Sequence, residues 1–177
     1  MFLEIHEDIS STELFEPVTD CEIEWSKIKL KNSKDLYIAS YYMPHRNMKD
    51  LTNLKLSLEK ITTGKPKHII IAGGFNCPDI DWTNMEIKTG APDKEVQQAL
   101  MDLSIEHGLV QIHDKPTREG NLLDRVFTNN PSLIKSTGKH QEFQTMISSI
   151  QTHLKNHTSI SNAHRNDTSL EEQIWIR

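Results

Sequence analysis

The chain has 177 residues, of which 36% are hydrophobic, and its formal net charge is −5 at pH 7. This length suits one domain with a single core and excludes a multidomain assembly. No apolar run approaches the roughly 20 residues of a membrane-spanning helix, and no secretory apolar segment follows Met1. The two cysteines, Cys21 and Cys77, fit neither a zinc pattern nor a disulfide framework. We therefore expect an intracellular protein, nuclear or cytoplasmic, with no membrane partner.

The acidic balance argues against a surface that holds nucleic acid by phosphate contacts alone, because such proteins normally show a basic face. The only dense basic stretch is formed by the lysines at positions 27, 29, 31 and 34, which alternate with apolar residues. This pattern favours the solvated face of a strand over a track for DNA.

The first half of the chain predicts two strands and a helix. Residues 1–20 are acidic and irregular. Alternating polar and apolar residues predict a strand over Cys21–Leu30, with a bulge before Ile28. The segment Leu36–Tyr42 is apolar on both faces, which is typical of an interior strand. Apolar residues at helical spacing then predict a helix over 48–62.

The second half adds three strands and a second helix. The apolar run Ile69–Ala72 is bounded by glycines and predicts a buried strand. A one-sided apolar pattern predicts a helix over 93–107 that Gly108 ends. Short strands are predicted at Leu109–Ile112 and Leu122–Thr128. Strands that alternate with two amphipathic helices indicate an α/β layered domain.

The loop after the Ile69–Ala72 strand carries the most informative motif. Residues 73–82 have the sequence Gly-Gly-Phe-Asn-Cys-Pro-Asp-Ile-Asp-Trp. This resembles the Gly-Asp-Phe-Asn signature of the endonuclease/exonuclease/phosphatase (DNase I-like) superfamily, most closely the endonuclease domain of jockey-type non-LTR retrotransposon polyproteins. In that superfamily the Asp and Asn of the signature lie side by side at the scissile phosphate. Asn76 matches the Asn, and Gly74 stands in the place of the Asp.

Two further blocks resemble motifs of the same superfamily. Residues 40–44 resemble a Tyr-x-Pro strand end, which implies that the hydroxyl of Tyr42 lies near the phosphate; an aromatic that fills a sheet edge is the alternative. Residues 121–124 resemble the block whose Asp orients a catalytic histidine, which implies that role for Asp124. The resemblance therefore implies three catalytic positions, namely Tyr42, Asn76 and Asp124.

Three other polar residues have both a functional and a structural interpretation, and a fourth, Arg125, departs from the pattern of the superfamily. Asp79 and Asp81 could replace the missing metal ligand, but their spacing in a loop is more typical of residues that cap and turn it beneath Trp82. Arg118 could meet a phosphate, although a solvated surface arginine is commoner. Arg125 stands where the superfamily has a hydrophobic residue in a buried strand.

The resemblance implies a partial DNase I-like two-sheet sandwich with flanking helices. We expect its first strands, with their metal-binding Glu motif, and its last motif strand to be missing. The intact family nicks DNA with Mg²⁺. With Gly74 in place of the motif Asp, we expect an inactive remnant that binds no Mg²⁺, binds DNA weakly or not at all, and uses no small-molecule cofactor. A non-catalytic binding module and an active nuclease or phosphoesterase on the same fold are the alternatives.

The polar composition of the carboxy-terminal segment sets it apart from the rest. We expect residues 1–137 to form the endonuclease-like domain and residues 138–177 to be a disordered tail, because the tail is rich in Ser, Thr, Asn, Gln and His and lacks periodicity. Residues 141–150 can be encoded by nucleotides that read Gly-Ile-Ser-Asp-His-Asp-Ile-Ile in a shifted frame. That peptide contains the Ser-Asp-His motif of the superfamily, which indicates a frameshift near Gly138.

The frameshift hypothesis makes a prediction about the gene. The nucleotides that encode residues 141–150 should encode the Ser-Asp-His peptide when they are read two bases later. Sequencing the locus and its transcript checks this directly. A single codon that is incompatible with the shifted peptide contradicts the hypothesis.

Overall fold

A six-stranded mixed sheet forms the centre of the computed structural model, which describes residues 3–5, 11–14, 20–30, 33–113, 124–133 and 174–176. The order of strands in this sheet is β2-β3-β4-β5-β9-β8. Two short two-stranded sheets pair β1 with β10 and β6 with β7. The strands are β1 (Leu3–Ile5), β2 (Ser11–Leu14), β3 (Glu22–Ile28), β4 (Leu36–Tyr42), β5 (His68–Gly74), β6 (Ile80–Asp81), β7 (Glu86–Ile87), β8 (Val110–Gln111), β9 (Asp124–Thr128) and β10 (Ile174–Ile176).

Two helices, α1 (Met48–Thr62) and α2 (Lys94–Glu106), pack on one face of the large sheet. Within that sheet β4 and β5 are parallel and joined through α1, whereas the other described neighbours are antiparallel. The predicted α/β class is confirmed by this architecture.

The two helices begin and end close to their predicted limits. The helix predicted over 48–62 is α1, whose N-cap residue Asn47 accepts a hydrogen bond from the Asp50 amide at 2.8 Å. The helix predicted over 93–107 is α2. It ends before Gly108, which has a φ of 60°, and the Leu109 amide then donates to the Ser104 carbonyl at 2.8 Å. This turn directs the chain into β8.

The predicted bulge in β3 is wrong. The register from Glu22↔Tyr42 to Ile28↔Leu36 runs without an inserted residue. Ile28 breaks the alternation because it lies on the second face of the sheet, where Ile38, Ile70 and Val126 are also buried. A strand that is covered on both faces carries apolar residues on both, so a change of apolar phase does not require a bulge.

Several short elements were not predicted. β2 lies within residues 1–20, which were expected to be irregular, and the β6–β7 pair lies within the motif loop. β5 is longer than the predicted Ile69–Ala72 strand because Gly73 and Gly74 continue its pairing on both sides. Strands of two to four residues have too few positions for a periodic pattern to show.

Part of the carboxy-terminal prediction falls on residues that the structure describes. β10 pairs with β1 in antiparallel register, with Leu3 opposite Ile176. This three-residue strand lies in the segment 138–177 that the sequence predicts to be disordered. The rest of that segment lies outside the described residues. Arg118 and the predicted strand residues Leu122 and Leu123 also lie outside them. The domain boundary at residue 137 stays a prediction.

Neither α1 nor α2 is long and apolar enough to cross a bilayer.

A buried hydrogen bond links the sheet to α1. The indole Nε1 of Trp25 on β3 donates to the hydroxyl of Ser57 on α1 at 2.7 Å, and both side chains are fully buried. A buried hydroxyl that loses its partner costs free energy, since no water replaces it.

Replacing Trp25 by Phe should therefore lower the free energy of unfolding by about 1–3 kcal/mol more in the wild-type background than in a Ser57→Ala background. Urea denaturation of the two single variants and the double variant measures this difference. Strict additivity of the two substitutions would show that the hydrogen bond contributes nothing.

Candidate active site

Two of the three candidate catalytic positions, Tyr42 and Asp124, lie in one row with Gly74 at the end of the sheet. In the registers of the β4–β5 and β5–β9 pairs, Tyr42 lies opposite Gly74 and Gly74 lies opposite Asp124. A Cβ atom placed on Gly74 would lie 2.9 Å from Cδ2 of Tyr42 and 3.5 Å from Oδ1 of Asp124. The structure thus brings together three motif positions from separate parts of the chain. Gly74 stands at the centre of this row.

The row has a fourth member that the sequence analysis did not identify. Glu22 on β3 lies opposite Tyr42 and is exposed. The alternation of Glu22 and Glu24 with buried Ile23 and Trp25 showed that the two carboxylates share a face. It did not show which neighbour they would meet, because only the strand register determines that.

Tyr42 and its neighbour Tyr41 point to opposite faces of the sheet. Tyr42 is 38% exposed at the row. Tyr41 is fully buried and packs on Phe75 with ring centroids 4.8 Å apart. Burial raises the pKa of the Tyr41 hydroxyl well above its ordinary value. Of the two phenols, only that of Tyr42 is placed where a substrate could reach it.

Asn76 closes the loop that follows β5 onto the end of β4. Its backbone has a φ of 49°, a left-handed conformation that asparagine tolerates better than most residues. Its Nδ2 donates to the Met43 carbonyl at 2.6 Å and approaches the Pro44 carbonyl at 3.4 Å. In this structure the amide nitrogen of Asn76 therefore holds the backbone of the Tyr-x-Pro block.

Arg125 lies on the helix-facing side of β9 and is fully buried. Its Nη2 donates to the Cys77 carbonyl at 2.7 Å, and its guanidinium carbon lies 5.7 Å from the ring centroid of Trp82. Burial lowers the pKa of Arg125 to about 10, so the group remains charged at pH 7. The carbonyl and the indole explain how a charge is accepted in a strand that was expected to be apolar. Arg125 also holds the motif loop next to Asn76.

Asp81 acts as a turn residue in the motif loop. Its carboxylate accepts hydrogen bonds from the amides of Thr83 and Asn84 at 3.0 and 3.1 Å and from Nδ2 of Asn84 at 2.8 Å. The hydrogen bonds from Asn84 lower the pKa of Asp81. These contacts agree with the capping interpretation of this residue.

Asp79 is held by cations of neighbouring segments. Its carboxylate lies 3.7 Å from Nζ of Lys88 and 3.9 Å from Nη1 of Arg46, which in turn pairs with Asp93 at 3.1 Å. Trp82 packs edge-on against Phe127 with centroids 5.1 Å apart. The motif loop is therefore fastened to its surroundings by ion pairs and an aromatic contact.

The carboxylates of the row do not fit a magnesium site. Glu22 and Asp124 are separated by three strand spacings of about 4.8 Å, or roughly 14 Å in total. Mg²⁺ binds its oxygen ligands at about 2.0–2.1 Å, so the two groups cannot share an ion. Gly74, which lies between them, has no ligand atom in a side chain. Within the described residues no three His, Cys, Asp or Glu side chains are grouped so that they could hold a metal.

A family model described as endonuclease-reverse transcriptase matches residues 36–161. The match covers more than half of the chain and includes Tyr42, Asn76 and Asp124. The chain therefore belongs to the endonuclease/exonuclease/phosphatase superfamily. Within that superfamily it belongs to the endonuclease-reverse transcriptase family. The matched region extends beyond residue 137, where the sequence analysis ends the endonuclease-like domain.

Two solved structures of larger proteins are similar to this chain. An endonuclease/exonuclease/phosphatase family protein from Bacteroides thetaiotaomicron shares 13% identity, with 71% of this chain and 51% of that chain covered and a TM-score of 0.39. A beta toxin from Staphylococcus aureus shares 12% identity, with 63% and 44% covered and a TM-score of 0.34. The chain spans about half the length of these structures. No curated protein matches the chain.

The crowding at Gly74 predicts that a larger residue at this position lowers the free energy of unfolding. Gly74→Ala places a Cβ 2.9 Å from the ring of Tyr42, so the ring must move, and overpacking of this kind costs about 1–3 kcal/mol of unfolding free energy. In a Tyr42→Ala background the obstacle is gone, and the same substitution should cost much less. Urea denaturation of the four chains measures both costs. Equal costs in the two backgrounds would show that the Tyr42 ring is not what restricts position 74.

Proposed function

We propose that this chain is the endonuclease domain of a jockey-type non-LTR retrotransposon and that this copy has lost its catalytic activity. Membership of the endonuclease-reverse transcriptase family supports the first part. The Asn-Cys-Pro-Asp-Ile-Asp-Trp string at residues 76–82 supports the retrotransposon branch. The observation that carries the loss of activity is Gly74, a residue without a side chain at the centre of the row.

Phosphodiester hydrolysis needs three things that the row supplies only in part. The phosphate charge must be neutralised, a water must be activated, and donors must stabilise the developing charge. The exposed hydroxyl of Tyr42 is such a donor, and the carboxylate of Asp124 is suited to orienting an imidazole. Position 74 contributes no carboxylate between them. The remaining groups position a substrate without activating it.

The size of the expected loss of activity follows from other enzymes in which several catalytic groups act as a unit. Removal of one key catalytic group from a triad lowers kcat by about 10⁴- to 10⁶-fold. A residual activity that low disappears in the background of a nicking assay. The fold around the row nevertheless stays in place, because Asn76 and Arg125 tie the motif loop to β4 and β9. A non-catalytic binding module on the same fold is therefore the second candidate function.

A plasmid-nicking assay with Mg²⁺ tests the proposal. The full chain, shown to be folded by circular dichroism, should leave supercoiled plasmid and abasic-site DNA intact. Asn76→Ala serves as the matched variant and should be indistinguishable from the unmodified chain. Nicking by the unmodified chain that a chelator stops and that Asn76→Ala abolishes would show that the copy is an active nuclease.

A further inference from the structure

Six lysines from three segments meet at the end of the sheet opposite the row. β3 finishes at this end, β4 and β5 begin there, and α1 ends there. The seven-residue strand β4 separates this end from Tyr42 by about 20 Å. We call it the basic end, and it consists of Lys27, Lys29, Lys34, Lys60, Lys65 and Lys67.

The structure corrects the interpretation of the first lysines as one strand face. Of those that it describes, Lys27 alone lies within β3, while Lys29 and Lys34 lie beyond the strand ends. Lysines from the α1–β5 connection lie beside them, which no local pattern of residues 27–34 could indicate.

Two of the six lysines, Lys27 and Lys67, form the inner part of the basic end. The Nζ atoms of Lys27 and Lys67 lie 5.6 and 5.1 Å from the ring centroid of Tyr37, so both ammonium groups lie close to one ring. Lys27 pairs with Asp35 at 2.7 Å. Lys67 donates to the carbonyls of Ile61 and, at 3.0 Å, Thr63 at the end of α1. These contacts connect β3, β4, α1 and β5 at a single place.

The side chains of Lys29, Lys34 and Lys65 extend the positive charge to the surface, where all three residues are exposed. Burial, and after it the charge of Lys34, lowers the pKa of His68 at the start of β5. Lys34 therefore lies close enough to β5 to act on a group there. The exposed lysines surround Lys27 and Lys67 rather than follow one strand.

The charges of the two ends differ in sign. At the basic end, among the described residues, Asp35 is paired with Lys27. Glu59 on α1 and Glu13 on β2, which lies opposite Ser26, are the other carboxylates close to it. At the other end three of the described cations are held by acidic partners, in the pairs Arg46–Asp93, Lys88–Asp79 and Lys49–Asp20. Glu22 and Asp124 add further negative charge there. A polyanion is accordingly attracted to the basic end and repelled from the row.

We propose that the basic end binds the phosphate backbone of duplex DNA, without reading base sequence, through Lys29, Lys34 and Lys65. Lysine ammonium groups act as point charges toward phosphate, and neutralising phosphates releases counterions, which drives such binding. This surface lies outside the row and needs no catalysis. It therefore goes beyond the proposed function and can be tested independently of it.

Fluorescence anisotropy of a short labelled DNA duplex tests the proposal on the full chain. The variant Lys29→Glu/Lys34→Glu/Lys65→Glu should bind at least about tenfold more weakly at low salt. The slope of log affinity against log salt should become shallower by about 2.7, or 0.9 for each lost phosphate contact. The matched control Lys49→Glu/Lys88→Glu/Lys94→Glu changes the net charge equally at the other end and should lose far less affinity.

Three results would overturn the proposal. One is an unmodified chain that does not bind the duplex at low salt. Another is a control variant that loses as much affinity as the basic-end variant, which would place DNA at the other end. The third is equally tight binding of polyglutamate, which would show that the surface takes any polyanion. All the substituted lysines of the basic end are exposed, and circular dichroism of each variant verifies that the comparison is made between folded chains.

Discussion

The close approach of β5 to β4 is the constraint on which the site depends. Gly73 has a φ of 152°, and a Cβ atom at this position would lie 1.8 Å from the Tyr41 carbonyl oxygen. Only glycine satisfies both conditions. Because Gly73 permits the pairing to continue, Gly74 reaches Tyr42 on one side and Asp124 on the other. The turn at Asn76 and its hydrogen bond to the Met43 carbonyl follow from the same close approach.

The absence of a carboxylate at position 74 is compatible with a well-packed fold. A second acidic group beside Asp124 would repel its carboxylate, a cost that an active site accepts for chemistry. Gly74 carries no acidic side chain, so there is no charge at this position for a metal to neutralise. The ring of Tyr42 lies within van der Waals reach of the glycine. Substitutions that remove an active-site group often relieve such repulsion and stabilise the fold. The scaffold around the row can therefore stay packed without an acidic side chain at position 74.

The parts of the fold that depend on long local patterns were predictable from the sequence, and those that depend on register were not. The helices α1 and α2 follow from apolar spacing, and Gly108 marks the end of α2. The row members Tyr42, Gly74 and Asp124 were identified by resemblance, but their adjacency, and the membership of Glu22, required the strand order. The partners of Asn76 and Arg125 are backbone carbonyls, which any residue supplies and no sequence pattern marks.

The pairing of β5 with β9 also orders the events by which the chain acquires its site. β4, α1 and β5 are consecutive, so they can pack while the chain is still being synthesised. Asp124 pairs with Gly74, which stands fifty positions earlier in the chain, and closing so long a loop is slow compared with local contacts. Until β9 docks, the Cys77 carbonyl lacks its guanidinium partner. The contacts that Arg125 and Phe127 make with the motif loop therefore form only when β9 has paired.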